Sequence, residues 1–234
     1  MSHFKSLLGI GLSAVSWREK AVSMLGGLVS ILFLTFITER VLSLSGTTAV
    51  IASMGASAVL LFAVPHGQLS QPWPVLAGHV LSAVIGVVCA QLIRGPELAA
   101  AFAVCLSIGM MHHFRCIHPP GGATALTAVL GGSAIHEMGF RFVLYPVLLN
   151  CVLMIGIAIL FNIFFGWRRY PAFLSHPEAQ PAPDTPSHEE IVAALRSIDS
   201  FVDVNEDDLI RLSQLLATRP RNKQSPGGSA PASP

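Results

Sequence analysis

The residues best suited to chemistry lie between two apolar segments, in the stretch from His112 to Ala125. Its titratable and helix-punctuating residues are His112, His113, Arg115, Cys116, His118, Pro119 and Pro120. Histidine titrates near neutral pH, and arginine carries a permanent positive charge that is costly at membrane depth unless it is paired. Residues of these types can attract anions, carry protons or bind metal ions. We therefore take this stretch as the candidate functional centre.

The Pro-Pro pair predicts the start of a helix that runs from about Pro119 to Gly132, because proline fixes φ and needs no partner for an N–H group. The small residues after it would leave this helix start bare. A helix N-terminus offers unsatisfied N–H groups and roughly half a positive charge, which together can hold a small anion. The predicted substrate-binding residues here are Arg115, His118, Gly121, Gly122, Ala123 and Thr124.

Two of these side chains have an alternative interpretation. Arg115 can act as an ordinary interfacial anchor whose charge reaches the membrane surface. His118 can cap its own helix start instead of binding an ion. His112, His113 and His118 are also candidates for proton carriers, and we place His113 in the transport pathway.

The composition places this cluster in a membrane. The chain has 234 residues, of which 52% are hydrophobic and only 12% are charged, and its mean hydropathy is +0.62. These values are typical of an integral membrane protein, so we expect the lipid bilayer as a partner. The net charge of +1 gives no indication of nucleic-acid binding. No pair of the four cysteines has the pattern of a disulfide.

A membrane helix needs roughly 20 apolar residues, and the chain offers six candidate spans. They cover about 21–40, 46–64, 75–93, 98–113, 119–135 and 141–165. The first follows charged residues without a cleavage site, so we expect it to be retained. The fifth is short and can instead be a re-entrant half-helix, which leaves the count at five or six.

Basic residues flank the predicted membrane region at both ends. Lys5, Arg18 and Lys20 precede it, and Arg168 and Arg169 follow it. Positively charged flanks favour the cytoplasm. We therefore expect six crossings with both termini in the cytoplasm, in a bacterial inner (plasma) membrane.

A weak internal repeat relates Gly55–Leu60 to Gly122–Thr127. A three-span unit repeated once has to reverse its orientation, and in such inverted repeats the binding site lies near the midplane between broken helices. The sequence thus predicts an all-α transmembrane helical bundle, built as a 3+3 inverted repeat with short or broken helices. The first half adds Gly55, Ala56 and Ser57 to the anion site if they form a break or a tight packing point in the second span. The alternative is that small residues here only allow close helix packing.

Two polar side chains inside the predicted spans are candidates for the pathway. His79 lies in the third span and Asn150 in the last, near corresponding places of the proposed repeat. Polar groups at such depth usually face the bundle interior.

Two segments resemble a known family. The stretch Ile117–Ala125 resembles the His-Pro-Pro-x-Gly-Ala signature of the HPP family of membrane proteins, and Met54–Phe62 resembles the family's other typical segment. The resemblance covers about residues 20–167. It implies a transporter-like membrane protein, and plant chloroplast and cyanobacterial members are associated with nitrite. Some bacterial members continue into paired CBS domains, which we do not find in this chain.

The function predicted from these features is transport of a small inorganic anion, most simply nitrite, through a channel or transporter. The competing hypothesis is a metal-handling membrane protein that uses His113, Cys116 and His118, whose nitrogen and sulfur donors lie at short spacing. We expect no enzyme activity and no cofactor, and we leave homo-oligomerisation open.

The change in composition after Trp167 predicts further segments. We divide the chain into a cytoplasmic segment 1–20, a transmembrane domain 21–167, a proline-rich linker 171–186, a small helical hairpin 187–217 and a disordered tail 218–234.

Overall fold

The computed structural model describes residues 15–42, 47–168 and 170–175, together with Leu209. All regular structure among them is helical, which confirms the predicted all-α class. The α-helices of this part are α1 (Trp17–Leu42), α2 (Thr47–Ala63), α3 (Pro72–Leu92), α4 (Pro96–His113), α5 (Pro119–Leu130), α6 (Ser133–Met138) and α7 (Leu149–Ile163). A π-helical turn, Val143–Leu148, leads into α7, and 3₁₀ turns lie at Gln68–Ser70 and Ala172–Ser175.

Prolines mark the starts of the three helices that build the centre of the domain. Pro72, Pro96 and Pro119 occupy the first positions of α3, α4 and α5. At this position the missing N–H group costs nothing and the fixed φ favours the helix. Gly95, before α4, has a φ of +91°, a conformation that glycine adopts without steric cost.

The apolar helices and the outward-facing side chains are those of a membrane protein. Among the described residues, Trp17–Arg40, Pro72–Leu92 and Val143–Ile163 are long and apolar enough to cross a bilayer. Many large apolar side chains face outward, among them Trp17, Met24, Leu32, Phe36, Leu92, Leu160 and Phe164. Water would not favour such a surface, whereas lipid tails do. The count of six crossings and the inverted repeat stay predictions.

Helix α5 is a half-helix. It has 12 residues, so it is about 18 Å long, whereas the hydrocarbon core is about 30 Å thick. It ends at Leu130, and Gly132 with a φ of +81° turns the chain into α6. It cannot cross a bilayer by itself, so the sequence hypothesis of a short or re-entrant fifth segment agrees with its length.

Small residues bring α5 directly against α3. A Cβ added to Gly121 would lie 2.8 Å from the carbonyl oxygen of Gly78, and one added to Gly86 would lie 2.7 Å from the carbonyl oxygen of Ala125. Gly78 contacts Gly121 and Gly86 contacts Ala125, so the contacts follow the same order along both helices. Helices α3 and α5 therefore run parallel. Glycine on one helix allows such close backbone approach in membranes.

The beginning of α1 and the end of α7 meet at one end of the bundle. Arg168 is 1% exposed and pairs with the Glu19 carboxylate. The Arg168 guanidinium also donates to Asn162 Oδ1 at 3.2 Å, to Ser23 Oγ at 3.0 Å and to the carbonyl oxygen of Phe62. Burial lowers the pKa of Arg168 from its usual value, and the Glu19 carboxylate acts in the opposite direction. This network ties α1, α2 and α7 together.

The residues after Arg168 return to the helical domain where they are described. Tyr170 is buried and its hydroxyl donates to the carbonyl oxygen of Ser70 at 2.8 Å, and Ala172 N–H donates to Gln71 Oε1 at 2.9 Å. The first residues of the predicted linker are therefore anchored. The remainder of the linker, the predicted hairpin apart from Leu209, and the predicted tail lie outside the described residues, as do residues 1–14.

Candidate functional site

Two histidines meet in the interior of the helical domain. His79 and His118 are both 0% exposed, and their ring centroids are 4.9 Å apart with the rings inclined at 62°. The Ser57 hydroxyl lies between them, 2.8 Å from His79 Nε2 and 2.9 Å from His118 Nε2. One hydroxyl group thus joins the two imidazoles.

The outer nitrogen of each ring is also hydrogen-bonded. His79 Nδ1 lies 2.7 Å from the Thr124 hydroxyl, which in turn lies 3.1 Å from the Ser53 hydroxyl. His118 Nδ1 lies 2.8 Å from the carbonyl oxygen of Leu69. We call Ser53, Ser57, His79, His118 and Thr124 the histidine cluster. All five side chains are at most 1% exposed.

The histidine cluster is built by three helices and one loop. Helix α2 carries Ser53 and Ser57 one turn apart on the same face. Ser57 lies beside His118 and Ser53 beside Thr124, so α2 runs antiparallel to α5. The loop after α2 presents Leu69, and the Ser70 hydroxyl pins this loop by donating to Val64 O at 2.7 Å.

The chain between α4 and α5 carries His118 into the interior. Arg115 adopts a φ of +53°, and Cys116 N–H donates to Met111 O at 2.9 Å, which is the pattern of a Schellman cap at the end of α4. After this cap the chain turns inward, and Cys116 and His118 are fully buried. A Cβ on Gly78 would lie 2.7 Å from His118 Cβ, so a larger residue there would displace the imidazole.

Two prolines and a turn form the start of α5, where an anion was predicted to bind. His118 is the N-cap, and Pro119 and Pro120 have no N–H group. The next N–H group, that of Gly121, donates to His118 O at 2.8 Å. Proline thus removes two donors and a turn uses the third, so these contacts give no support to a backbone anion site at this helix start, which stays a prediction. Gly122 is half-buried and Ala123 is exposed.

The break at Gly55, Ala56 and Ser57, which was one condition for a second anion-binding helix end, is not formed. Helix α2 continues through these residues from Thr47 to Ala63. Their N–H groups therefore belong to the interior of a helix and cannot form a second anion-binding terminus. Ser57 contributes its side chain to the histidine cluster. Ala56 is exposed, and Gly55 lines an apolar groove of about 770 Å³ between α1 and α2.

Three other predicted residues do not reach the histidine cluster. Arg115 and His113 are exposed at the end of α4, where His113 packs against Phe114. Asn150 is buried, but its Oδ1 lies 3.4 Å from Thr38 Oγ1 of α1 and its Nδ2 has no protein partner. Four of the predicted residues, Ser57, His79, His118 and Thr124, are brought together.

The donors of the metal hypothesis are separated. Cys116 and His118 are buried, whereas His113 is exposed. Within the described ranges, no three His, Cys, Asp or Glu side chains are grouped so that they could hold a metal ion. The arrangement thus gives no support to the metal-handling alternative.

Sequence reasoning missed three groups that the structure makes important. Ser53 extends the histidine cluster, and its spacing of four from Ser57 could have indicated a shared helix face. Leu69 contributes only a carbonyl oxygen, for which the sequence carries no signal. Glu19, which pairs with Arg168, comes from a position 149 residues away.

Comparisons with known proteins agree with this architecture. The sequence pattern of the HPP transmembrane region matches residues 12–171. Two proteins of Dictyostelium discoideum, both described as transmembrane proteins, are 36% identical over 186 residues and 35% identical over 173 residues. These matches cover 74% and 72% of this chain, but only 63% and 54% of the two relatives.

No solved structure matches the chain. The family match covers more than half of the 234 residues, and it includes both the His118 segment and the Ser57 segment of the histidine cluster. The chain is an integral membrane protein and belongs to the HPP family.

Proposed function

We propose that this HPP protein transports a small inorganic anion across the membrane and that the histidine cluster is its binding site. Nitrite is the first candidate because of the family resemblance. The observation that carries the proposal is the pair of fully buried histidines, His79 and His118, joined through Ser57 inside a transmembrane domain. Ionisable residues at such depth are costly and usually serve transport or proton transfer.

The charge balance of the cluster favours an anion over a cation. The described residues include four carboxylates, which all lie near helix ends: Glu19, Glu39, Glu97 and Glu137. None of these carboxylates is hydrogen-bonded to the histidine cluster. A proton bound by His79 or His118 would therefore leave a buried positive charge without a protein counter-ion, which is expensive. An anion that enters with the proton would neutralise this charge.

The site also has suitable donors for a small anion. A protonated imidazole donates from both nitrogens, and the hydroxyls of Ser57 and Thr124 can each donate one hydrogen bond. Loss of the proton removes the charge and one donor, so the anion would be released. The protonated site would thus bind the anion, and the deprotonated site would release it, as transport requires.

For the membrane orientation we propose that both chain ends face the cytoplasm. The contact between Glu19 and Arg168 supports a common side for the start of α1 and the end of α7. The basic residues that flank these helices favour the cytoplasmic side.

Proteoliposomes that contain the purified full-length protein test the proposal. We expect nitrite, or another small monovalent anion of a panel with nitrate, chloride and sulfate, to enter faster than into protein-free vesicles. Uptake should accelerate when the side of anion addition is made more acidic, because protonated histidines bind the anion. Equal fluxes with and without protein for every anion would contradict the proposal.

A further inference from the structure

The four hydrogen bonds of the two imidazoles have one consistent direction when both rings are neutral. His118 Nδ1 faces the carbonyl oxygen of Leu69 at 2.8 Å. A carbonyl oxygen only accepts, so His118 carries its proton on Nδ1 and its Nε2 is an acceptor. Ser57, at 2.9 Å from this Nε2, must donate to it.

The donor and acceptor roles at His118 and Ser57 then fix those of the two His79 nitrogens. A serine hydroxyl has one hydrogen. Ser57 uses it on His118 Nε2 at 2.9 Å, which is closer than its other acceptor, the carbonyl oxygen of Ser53 at 3.3 Å. The contact of 2.8 Å between Ser57 Oγ and His79 Nε2 therefore needs the ring to donate, so His79 carries its proton on Nε2. Its Nδ1 is left as the acceptor for the Thr124 hydroxyl at 2.7 Å. The Thr124 hydroxyl also lies 3.1 Å from Ser53 Oγ, which is a longer contact than its 2.7 Å to His79 Nδ1.

We propose that this directed chain is a proton relay and that Ser57 passes the coupling proton between the two histidines. The proposal rests on the proposed anion transport and identifies the residue that couples it to protons. The relay predicts opposite neutral tautomers for the two rings, with the proton on Nε2 of His79 and on Nδ1 of His118.

The transfer conserves protons and charge. When His79 takes up a proton on Nδ1, it becomes an imidazolium that donates to both Thr124 and Ser57. The Nε2 proton of His79 then moves to Ser57 Oγ while the Ser57 hydroxyl proton moves to His118 Nε2. His79 ends neutral with its proton on Nδ1, and His118 ends as the imidazolium. One positive charge has moved from one ring to the other.

Few other titratable groups face this relay. Helices α2 and α5 contain no ionisable side chain in their described ranges. Cys116 is buried beside Gly78, and His112, His113 and Arg115 are exposed at the end of α4. The remaining titratable groups on packed elements and the loop are Arg18, Glu19, Lys20, Glu39 and Arg40 of α1, His136 and Glu137 of α6, and His66, Cys89, Glu97, Cys105, Tyr145, Cys151 and Tyr170.

The first test reads the tautomers directly. Nitrogen-15 NMR of histidine-labelled full-length protein in bilayers, at a pH where both rings are neutral, should show opposite tautomers. The spectra of His79→Gln and His118→Gln assign the two signals. Ser57→Ala removes the oxygen that accepts from His79 Nε2 and should abolish the tautomer preference of His79, whereas Thr124→Val should retain it because Ser57 still accepts from Nε2. The same tautomer on both rings would overturn the relay.

The second test separates the relay from transport itself. Ser57→Ala removes the connecting hydroxyl but leaves both histidines, and Ser107→Ala removes a buried hydroxyl of α4 that has no protein partner. We measure nitrite uptake and internal pH in the same proteoliposomes. Proton-driven nitrite uptake should fall at least about tenfold in Ser57→Ala, whereas Ser107→Ala should take up nitrite at the rate of the parent. Retained proton coupling in folded Ser57→Ala would overturn the relay, whereas absence of anion flux in the parent would overturn the proposed function.

Discussion

Replacing Gly121 with alanine is expected to destabilise the folded domain, although alanine is the better helix former. The added Cβ would lie 2.8 Å from the carbonyl oxygen of Gly78 and 2.9 Å from Ser82 Oγ. Both are closer than carbon atoms approach such groups, and the first belongs to the backbone of α3. Overpacking of this kind costs about 1–3 kcal/mol. Thermal unfolding of the purified protein in detergent should show a lowered midpoint.

The neighbouring glycine is the matched control. A Cβ on Gly122 meets nothing within 4 Å, so Gly122→Ala should gain up to about 1 kcal/mol from its helix propensity. The two adjacent substitutions should thus change the free energy of unfolding in opposite directions. A Gly121→Ala protein that unfolds at or above the parent temperature would show that α3 and α5 do not pack as described.

Replacing His79 with glutamine is expected to cause the largest loss of transport. Glutamine keeps hydrogen-bonding groups but cannot take up a proton near neutral pH, so the charge that binds the anion is lost. A hydrogen bond to a charged group is worth about 1.5–3 kcal/mol, which corresponds to roughly a 10- to 100-fold weaker apparent affinity for the anion. Uptake at limiting nitrite concentration should fall by a similar factor.

His112→Gln serves as the control for this substitution. His112 is exposed in the last turn of α4 and lies outside the histidine cluster. Its replacement should leave uptake close to the parent value. If folded His79→Gln transports with unchanged affinity and pH dependence, the histidine cluster is not the anion site.

Much of the candidate site could be predicted from residue types alone. His118, Thr124, Ser57 and His79 stand out because polar side chains inside apolar spans need partners or a function. The internal repeat placed Ser57 in one site with His118 and Thr124, but the hydrogen bonds could not be predicted. Ser57 and His118 are 61 positions apart, and one sequence does not show which side-chain atoms meet.

The lack of support for the predicted backbone site has a cause that can be read from the sequence. Two prolines at a helix start supply no N–H groups, so Pro119 and Pro120 favour the helix and at the same time remove its donors. The close packing of α3 against another helix could also be expected from the sequence, because Gly78, Ser82 and Gly86 follow one another at a spacing of four.

The burial of Arg168 was the least predictable feature. A basic residue after the last span predicts an interfacial charge, yet its guanidinium is enclosed by α1 and α2. Its ion-pair partner Glu19 lies at the other end of the transmembrane sequence. Only the tertiary fold brings the two groups together.

The measurement that tests the central claim most directly is the proton balance of anion binding. The transported anion is titrated into weakly buffered, detergent-purified protein, and the change in pH is recorded. Because proton and anion stabilise each other in the histidine cluster, we expect uptake of about one proton for each anion bound, by thermodynamic linkage. This uptake should disappear in His79→Gln. Anion binding to the parent protein without proton uptake would contradict the account.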